Sequence, residues 1–169
     1  VIILAHAKSD IHHVTSDEQI EQVVSLAREI WTEHYTSIIG IEQVNYMLDK
    51  FQSNSVIKQQ IDEGLHYFLL GNDKPMGYLA LKLESQDLFV SKIYLLASFR
   101  NQGYGKLLMQ FTENFGQENN CTQLKLTVNK YNLTTIKAYK KLGFTQKREV
   151  VFDIGNGYIM DDYEMVKPI

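Results

Sequence analysis

The chain has 169 residues, 44% of them hydrophobic, with 17 basic and 20 acidic side chains and a formal net charge of −3. That length, without a Pro/Gly/Ser-rich linker or an internal repeat, fits one core, so a single domain over 1–169 is expected, with 1–10 a leader or extra strand. Its acidity argues against a nucleic-acid partner, and its lone cysteine, Cys121, excludes an internal disulfide.

No apolar stretch is long enough to span a bilayer, and Val1 to Ala5 lacks the basic flank and length of a signal peptide. The expectation is a soluble cytoplasmic protein with no membrane partner. Cys and His do not cluster at ligand spacing, so no metal is expected.

In chain order, Ile11 to Thr15 reads as a first strand. Ser16-Asp17-Glu18-Gln19 then reads as a capping box. Ile20, Val23, Val24, Ala27, Ile30, Trp31 and His34 recur at helical spacing, so this helix should dock on a sheet. Gly40 ends it. Ile41 to Phe51 repeats the period through Val44, Met47, Leu48 and Phe51, and a short helix runs through Ile57 and Ile61 to Gly64.

Strands follow at Tyr67 to Leu70, Met76 to Leu83 and Leu88 to Leu96, joined by turn-rich segments at 71–75 and 84–87. Tyr104, Leu107, Leu108, Phe111 and Phe115 trace a helix face. Leu124, Leu126 and Val128 alternate as a strand, and Thr134 to Leu142 is a short helix stopped by Gly143. Thr145 to Ile154 and Tyr158 to Val166 form a hairpin about Gly155-Asn156-Gly157. The order implies an α/β sandwich with a mixed sheet.

Charge is segregated. Between Asn119 and Arg148 stand seven basic residues and no acidic one; from Asp10 to Glu63 there are ten acidic residues against Arg28, Lys50 and Lys58. The first region would attract anions and the second a cationic amine, unless each is a solvated helix face.

The segment Arg100-Asn101-Gln102-Gly103-Tyr104-Gly105-Lys106 lies between a strand and a helix. Two glycines one residue apart remove Cβ atoms that would hold an anion off the backbone, at a helix N-terminus whose dipole favours negative charge. A Walker A loop fails, because Arg100 stands where its first glycine belongs and Leu107 follows Lys106. A Rossmann fingerprint fails at Leu108. A turn that binds nothing remains the alternative.

Arg-x-x-Gly-x-Gly after an apolar strand resembles the acyl-CoA pyrophosphate loop of the GNAT superfamily of N-acetyltransferases. The segment Asn132 to Phe144 resembles that family's Asn-x-x-Ala-x-x-Phe-Tyr-x-Lys-x-Gly-Phe, with Thr135 and Ala138 as departures. The resemblance covers about residues 11 to 167. It implies a mostly antiparallel sheet with a splayed parallel strand pair, flanked by helices, and acetyl-CoA as cofactor with CoA as product.

It also implies roles. Ile93, Tyr94 and Leu95 would pair with pantetheine amides, Arg100, Asn101, Gln102, Gly103, Tyr104, Gly105 and Lys106 would hold the pyrophosphate, and Asn132 and Lys141 would fix the arm and the phosphates. Tyr139, expected near a helix start, would protonate the departing thiolate after direct attack by an amine. Many members of that family carry a Glu on the strand before the loop, but Phe89-Val90-Ser91-Lys92-Ile93-Tyr94 has no carboxylate. A water relay to Asp87, Glu33, His34 or Tyr94 is the alternative for the base.

Substrate choice in that fold lies with the first two helices and the final hairpin, which makes Glu33, His34, Tyr35, Tyr46 and Asp162 the acceptor-side candidates. The ending Asp153 to Tyr163 is similar to those of bacterial spermidine/spermine N-acetyltransferases, so a polyamine or other small cationic amine comes first. A protein or peptide amine, an aminoglycoside-like amine, and a non-catalytic acyl-CoA-binding module are the alternatives. Homodimers are common among such relatives.

Overall fold

Ser16 opens the first helix, α1 (Asp17–Ile39), with a reciprocal cap. Its hydroxyl accepts from the Gln19 N–H at 3.2 Å, and the Gln19 side chain accepts from the Ser16 N–H at 3.1 Å. Gly40, at φ 85°, separates α1 from α2 (Ile41–Phe51), and α3 (Asn54–Asp62) follows. The computed structural model describes residues 10–169; the expected leader over 1–10 therefore falls, Asp10 apart, outside the described residues.

Seven strands form one sheet: β1 (Ile11–His13), β2 (His66–Leu70), β3 (Gly77–Glu84), β4 (Asp87–Leu95), β5 (Gln123–Asn129), β6 (Thr145–Gly155) and β7 (Tyr158–Pro168). Their order is β1-β2-β3-β4-β5-β7-β6, and every neighbouring pair is antiparallel except β4 with β5. The crossover between that parallel pair is α4 (Tyr104–Glu118), and α5 (Leu133–Lys141) leads from β5 to the final hairpin. The expected elements all form, with ends shifted by one or two residues.

Two apolar layers hold the sheet. Val23, Ala27, Ile30, Trp31, Val44 and Leu48 press the first three helices onto Tyr67, Leu69, Tyr78 and Ala80. On the other face Met109 and Ile136 meet Leu79, Leu88, Val90, Leu124 and Leu126. Each such buried side chain contributes about 1.5–3 kcal/mol relative to exposure. Cys121 is buried just ahead of β5, as a small packing residue.

One irregularity matters for the site. Ala80 pairs with Lys92 but its neighbour Leu81 pairs with Val90, so Ser91 is an extra residue on β4, a β-bulge. Leu88 and Val90 pack on the α4 side, and strict alternation would send Lys92 there too. The bulge turns Lys92 instead toward α3, where its ammonium reaches Ser91 Oγ at 3.1 Å and Gln60 Oε1 at 3.4 Å.

Candidate active site

β4 and β5 pair only at Asp87 with Gln123, Leu88 with Leu124 and Phe89 with Lys125. Beyond Phe89 the strands part, leaving the β5-facing backbone of Ile93, Tyr94 and Leu95 without a strand partner. A cavity of about 460 Å³ opens there, and it reaches from α1 and α2 through the gap to α5 and Gly105.

The loop after β4 is shaped as its glycines suggest. Gly103 adopts φ 91° at the cap of α4, a left-handed conformation costly for any residue with a Cβ, and Asn101 sits at φ 61°. The first N–H of this helix to close back is that of Leu107, on the Gly103 carbonyl at 3.1 Å. Among the described residues the N–H groups of Gly103, Tyr104, Gly105 and Lys106 have no backbone acceptor, so four donors stand at the positive end of the helix dipole.

The side chains around that loop differ in readiness. Arg100 donates from Nε to the Leu95 carbonyl at 3.1 Å and from its guanidinium to Glu33 at 3.0 Å, so it braces the loop against α1. Gln102 donates to the Ser98 carbonyl at 2.7 Å. Lys106 and Lys141 are exposed and form no ion pair among the described residues. Asn132 is buried; its Oδ1 lies 3.2 Å from His34 Nε2, while its Nδ2 has no partner among the described residues. Four open N–H groups and two free lysines fit the pyrophosphate of an acyl-CoA, and the orphaned amide at the cap of α5, itself outside the cavity lining, is a donor suited to its amide-bearing arm.

Tyr139 lines the same gap. It lies in the second half of α5 rather than near a helix start, because the helix begins at Leu133. Its ring packs on Phe144 with centroids 5.5 Å apart, and its hydroxyl has no hydrogen-bond partner among the described residues. Burial pushes that hydroxyl above the ordinary tyrosine range, which keeps the phenol protonated and able to donate.

The acceptor-side candidates divide. His34, Tyr35 and Asp162 line the cavity. Glu33 does not; Arg100 holds it at the rim. Tyr46 does not either, because its hydroxyl donates to the Ile154 carbonyl at 2.7 Å and ties the hairpin to α2. Asp87 pairs with Lys125 at 3.7 Å, away from the cavity wall, so it is not placed to serve as base. The Tyr94 hydroxyl, 3.5 Å from that of Tyr35, is pushed well up by burial, which makes it a poor base.

The expected charge fields also change meaning. None of the ten acidic residues between Asp10 and Glu63 lines the cavity. They face solvent or pair locally, as Asp17 does with Lys58 and Asp49 with Arg28. In the basic segment, Lys125, Lys130, Lys147 and Arg148 are paired with carboxylates of the sheet, which leaves Lys137, Lys140 and Lys141 on α5 unpaired among the described residues.

Asp162, 3% exposed, is the only carboxylate in the cavity wall among the described residues. Burial pushes its pKa up to about 6; Asp161 adds to the rise, while a hydrogen bond from Thr127 and the charge of Lys130 oppose it. Sequence reasoning missed Lys92. This side chain lines the cavity from β4, 7% exposed, and the bulge that turns it inward leaves no mark in the apolar run around it.

Solved structures share this fold. Residues 21–144 match the model of the acetyltransferase (GNAT) family. An uncharacterized N-acetyltransferase in the pepI 3′ region of Lactobacillus delbrueckii subsp. lactis is 26% identical over 151 residues, covering 83% of this chain and 87% of that protein. A spermidine N(1)-acetyltransferase of Thermoplasma acidophilum is 22% identical over 152 residues, covering 86% and 92%. The crystal structure of PaiA N-acetyltransferase from Thermoplasma acidophilum, in complex with coenzyme A, superposes with a TM-score of 0.79 at 20% identity, over 94% of this chain and 99% of that one. With a splayed parallel strand pair, an open-amide loop and a family match over most of its length, the chain belongs to the acetyltransferase (GNAT) family.

Proposed function

We propose that this acetyltransferase moves an acetyl group from acetyl-CoA to a primary amine, by direct attack of the amine in a ternary complex. The observation that carries the reading is that Tyr139 and Asp162 line one cavity at the place where β4 and β5 part. Acetyl-CoA supplies an activated acyl group and a thiolate leaving group. The chain's own residues supply orientation and proton movement.

Open N–H groups at the start of α4 bind the diphosphate, and Asn132 Nδ2 donates to the arm. The unpaired backbone near Tyr94 and Leu95 orients the arm and offers an N–H donor to the reacting carbonyl. Asp162, ionised above about pH 6, accepts a hydrogen bond from the amine and then its proton. Asp162 thus fills the role for which the family resemblance leads one to look on β4. The Tyr139 hydroxyl gives its proton to the departing sulfur.

A polyamine acceptor is a second reading, favoured by the 22% identity to a spermidine acetyltransferase. The cavity wall supports it less. A polyamine brings several cations, whereas the wall offers one carboxylate and also carries Lys92. Thiol release from acetyl-CoA, measured over a panel of amines that includes spermidine and spermine, tests both readings. No turnover with any amine would sink the first; turnover confined to monoamines would sink the second.

A further inference from the structure

Lys92 is an enclosed ammonium without an anion. Its donors meet two neutral oxygens, Ser91 Oγ at 3.1 Å and Gln60 Oε1 at 3.4 Å, and the Tyr67 ring centroid lies 5.2 Å away. Gln60 Oε1 is already engaged by the Tyr67 hydroxyl at 2.6 Å, so the ammonium shares an occupied acceptor. No carboxylate pairs with Lys92 among the described residues. Holding a cation in such a place costs several kcal/mol unless a counter-charge arrives, and burial lowers the pKa to about 8, which leaves it mostly charged at neutral pH.

The second charge in the wall has the opposite sign. Asp162 follows Met160 along β7 with its side chain on the α1–α3 face, the face to which the bulge turns Lys92. β5 stands between their strands, and neither group is the other's ion-pair partner. Two strand spacings amount to roughly 10 Å, widened by the splay, so a ligand several bonds long can lie between the two groups. The wall beside them is apolar, with Phe51, Phe89 and Met160.

We propose that Lys92 and Asp162 form a two-point site for a zwitterionic acceptor, with Asp162 receiving the amine and Lys92 a carboxylate of the same molecule. The proposal rests on the acetyltransferase reading above and narrows its substrate class to amines that carry a carboxylate. The acceptor's anion supplies the counter-charge that the fold withholds, and its amine is thereby aligned toward the strand gap. A polyamine would instead place cations beside Lys92.

The test uses acceptors that differ only by the carboxylate: lysine against cadaverine, and phenylalanine against phenethylamine. The wild-type protein is expected to favour the carboxylate-bearing member of at least one pair by tenfold or more in kcat/KM, mainly through KM. Lys92→Met should cut that preference at least tenfold, and Lys92→Arg should largely keep it. A preference for the decarboxylated member in both pairs, or a Lys92→Met variant that loses both members equally, overturns the proposal. The second outcome would make Lys92 a general proton carrier or a structural group.

A binding readout separates this from failure of the activity itself. With CoA present, N-acetylphenylalanine should raise the wild-type melting temperature more than N-acetylphenethylamine does, and Lys92→Met should abolish the difference. A chain that acetylated no amine of the full panel would remove the functional reading, and the melting shifts would still decide the role of Lys92. Equal shifts by the two compounds on the wild-type protein count against it.

Discussion

His34 Nε2 lies 3.2 Å from Asn132 Oδ1, which ties α1 to the start of α5 and leaves the Asn132 Nδ2 as a buried donor without an acceptor. The contact orients the amide: with Oδ1 engaged, Nδ2 is left for another acceptor, at the cap of the helix whose Thr135, Ala138 and Tyr139 line the cavity. Asn132→Ala is therefore expected to raise the KM for acetyl-CoA by about tenfold, the scale of one lost buried hydrogen bond. His34→Ala should raise it less, by loosening the amide without removing it. An unchanged KM in both variants, measured with a saturating amine, would detach this pair from cofactor binding.

Tyr139 has a hydroxyl held protonated by burial, with no hydrogen-bond partner among the described residues. Replacing it with Phe keeps the packing on Phe144 and removes only the donor. Turnover should fall by about 10²-fold or more, in the range of a lost general acid, while the affinity for acetyl-CoA stays within a few-fold. If turnover were unaffected, water would be the proton source for the thiolate.

Asp162 gives the reaction a pH dependence whose sign can be worked out. Its pKa is raised from 3.8 to about 6, so the carboxylate forms as pH rises through about 6, and kcat/KM should climb across that point. Asp161, Lys130 and Thr127 are the groups that tune it. The same rise means that folding favours the protonated form: its contribution to stability is full below 3.8 and is lost as pH rises through about 6. In Asp162→Asn the step near pH 6 should vanish from the rate profile. A step that survives belongs to another group.

Lys92 should trade stability for selectivity. Its pKa falls from 10.5 to about 8, so the charged form carries a penalty that is full below pH 8 and fades by about pH 10.5. That shift corresponds to about 3 kcal/mol, less roughly 1 kcal/mol for the contact with the Tyr67 ring. Lys92→Met should therefore stabilise the protein by on the order of 2 kcal/mol at pH 7, with a smaller gain at pH 10.5. Urea melts at the two pH values check this, and a destabilised variant would mean that the ammonium is better solvated than its two neutral oxygens suggest.

Much of the fold was legible because local signals agreed with one another. The Ser16 to Gln19 cap, the period of Ile20 to Trp31 and the Gly155 to Gly157 turn each have a short-range cause, and each appears where expected. The glycine-capped turn at Gly103 was legible for the same reason. The acidic field was misread although the remedy lay in the same period. With Ile20, Val23, Ala27, Ile30 and Trp31 facing the sheet, Glu18, Glu21, Glu29 and Glu33 had to fall elsewhere on the helix. Lys92 was not legible at all. Its orientation depends on how β4 pairs with β3, a long-range fact that no residue from Phe89 to Tyr94 announces, since a bulge can form without glycine or proline.

The single unpaired residue at Ser91 therefore acts as a phase shifter. Upstream of it, odd and even positions of β4 carry one assignment of faces; downstream the assignment is reversed, and the residues that meet the donor and those that meet the acceptor exchange parity. Were Ser91 paired in the ladder opposite Ala80 instead of left out of it, composition would be unchanged, yet Lys92 would fall opposite Leu79 among the apolar residues against α4 and Ile93 would turn to the acceptor side. The face that Lys92 takes thus depends on pairing rather than on composition, so a chain with the same β4 residues and an unbroken ladder would share the fold while offering the cavity a different set of β4 side chains.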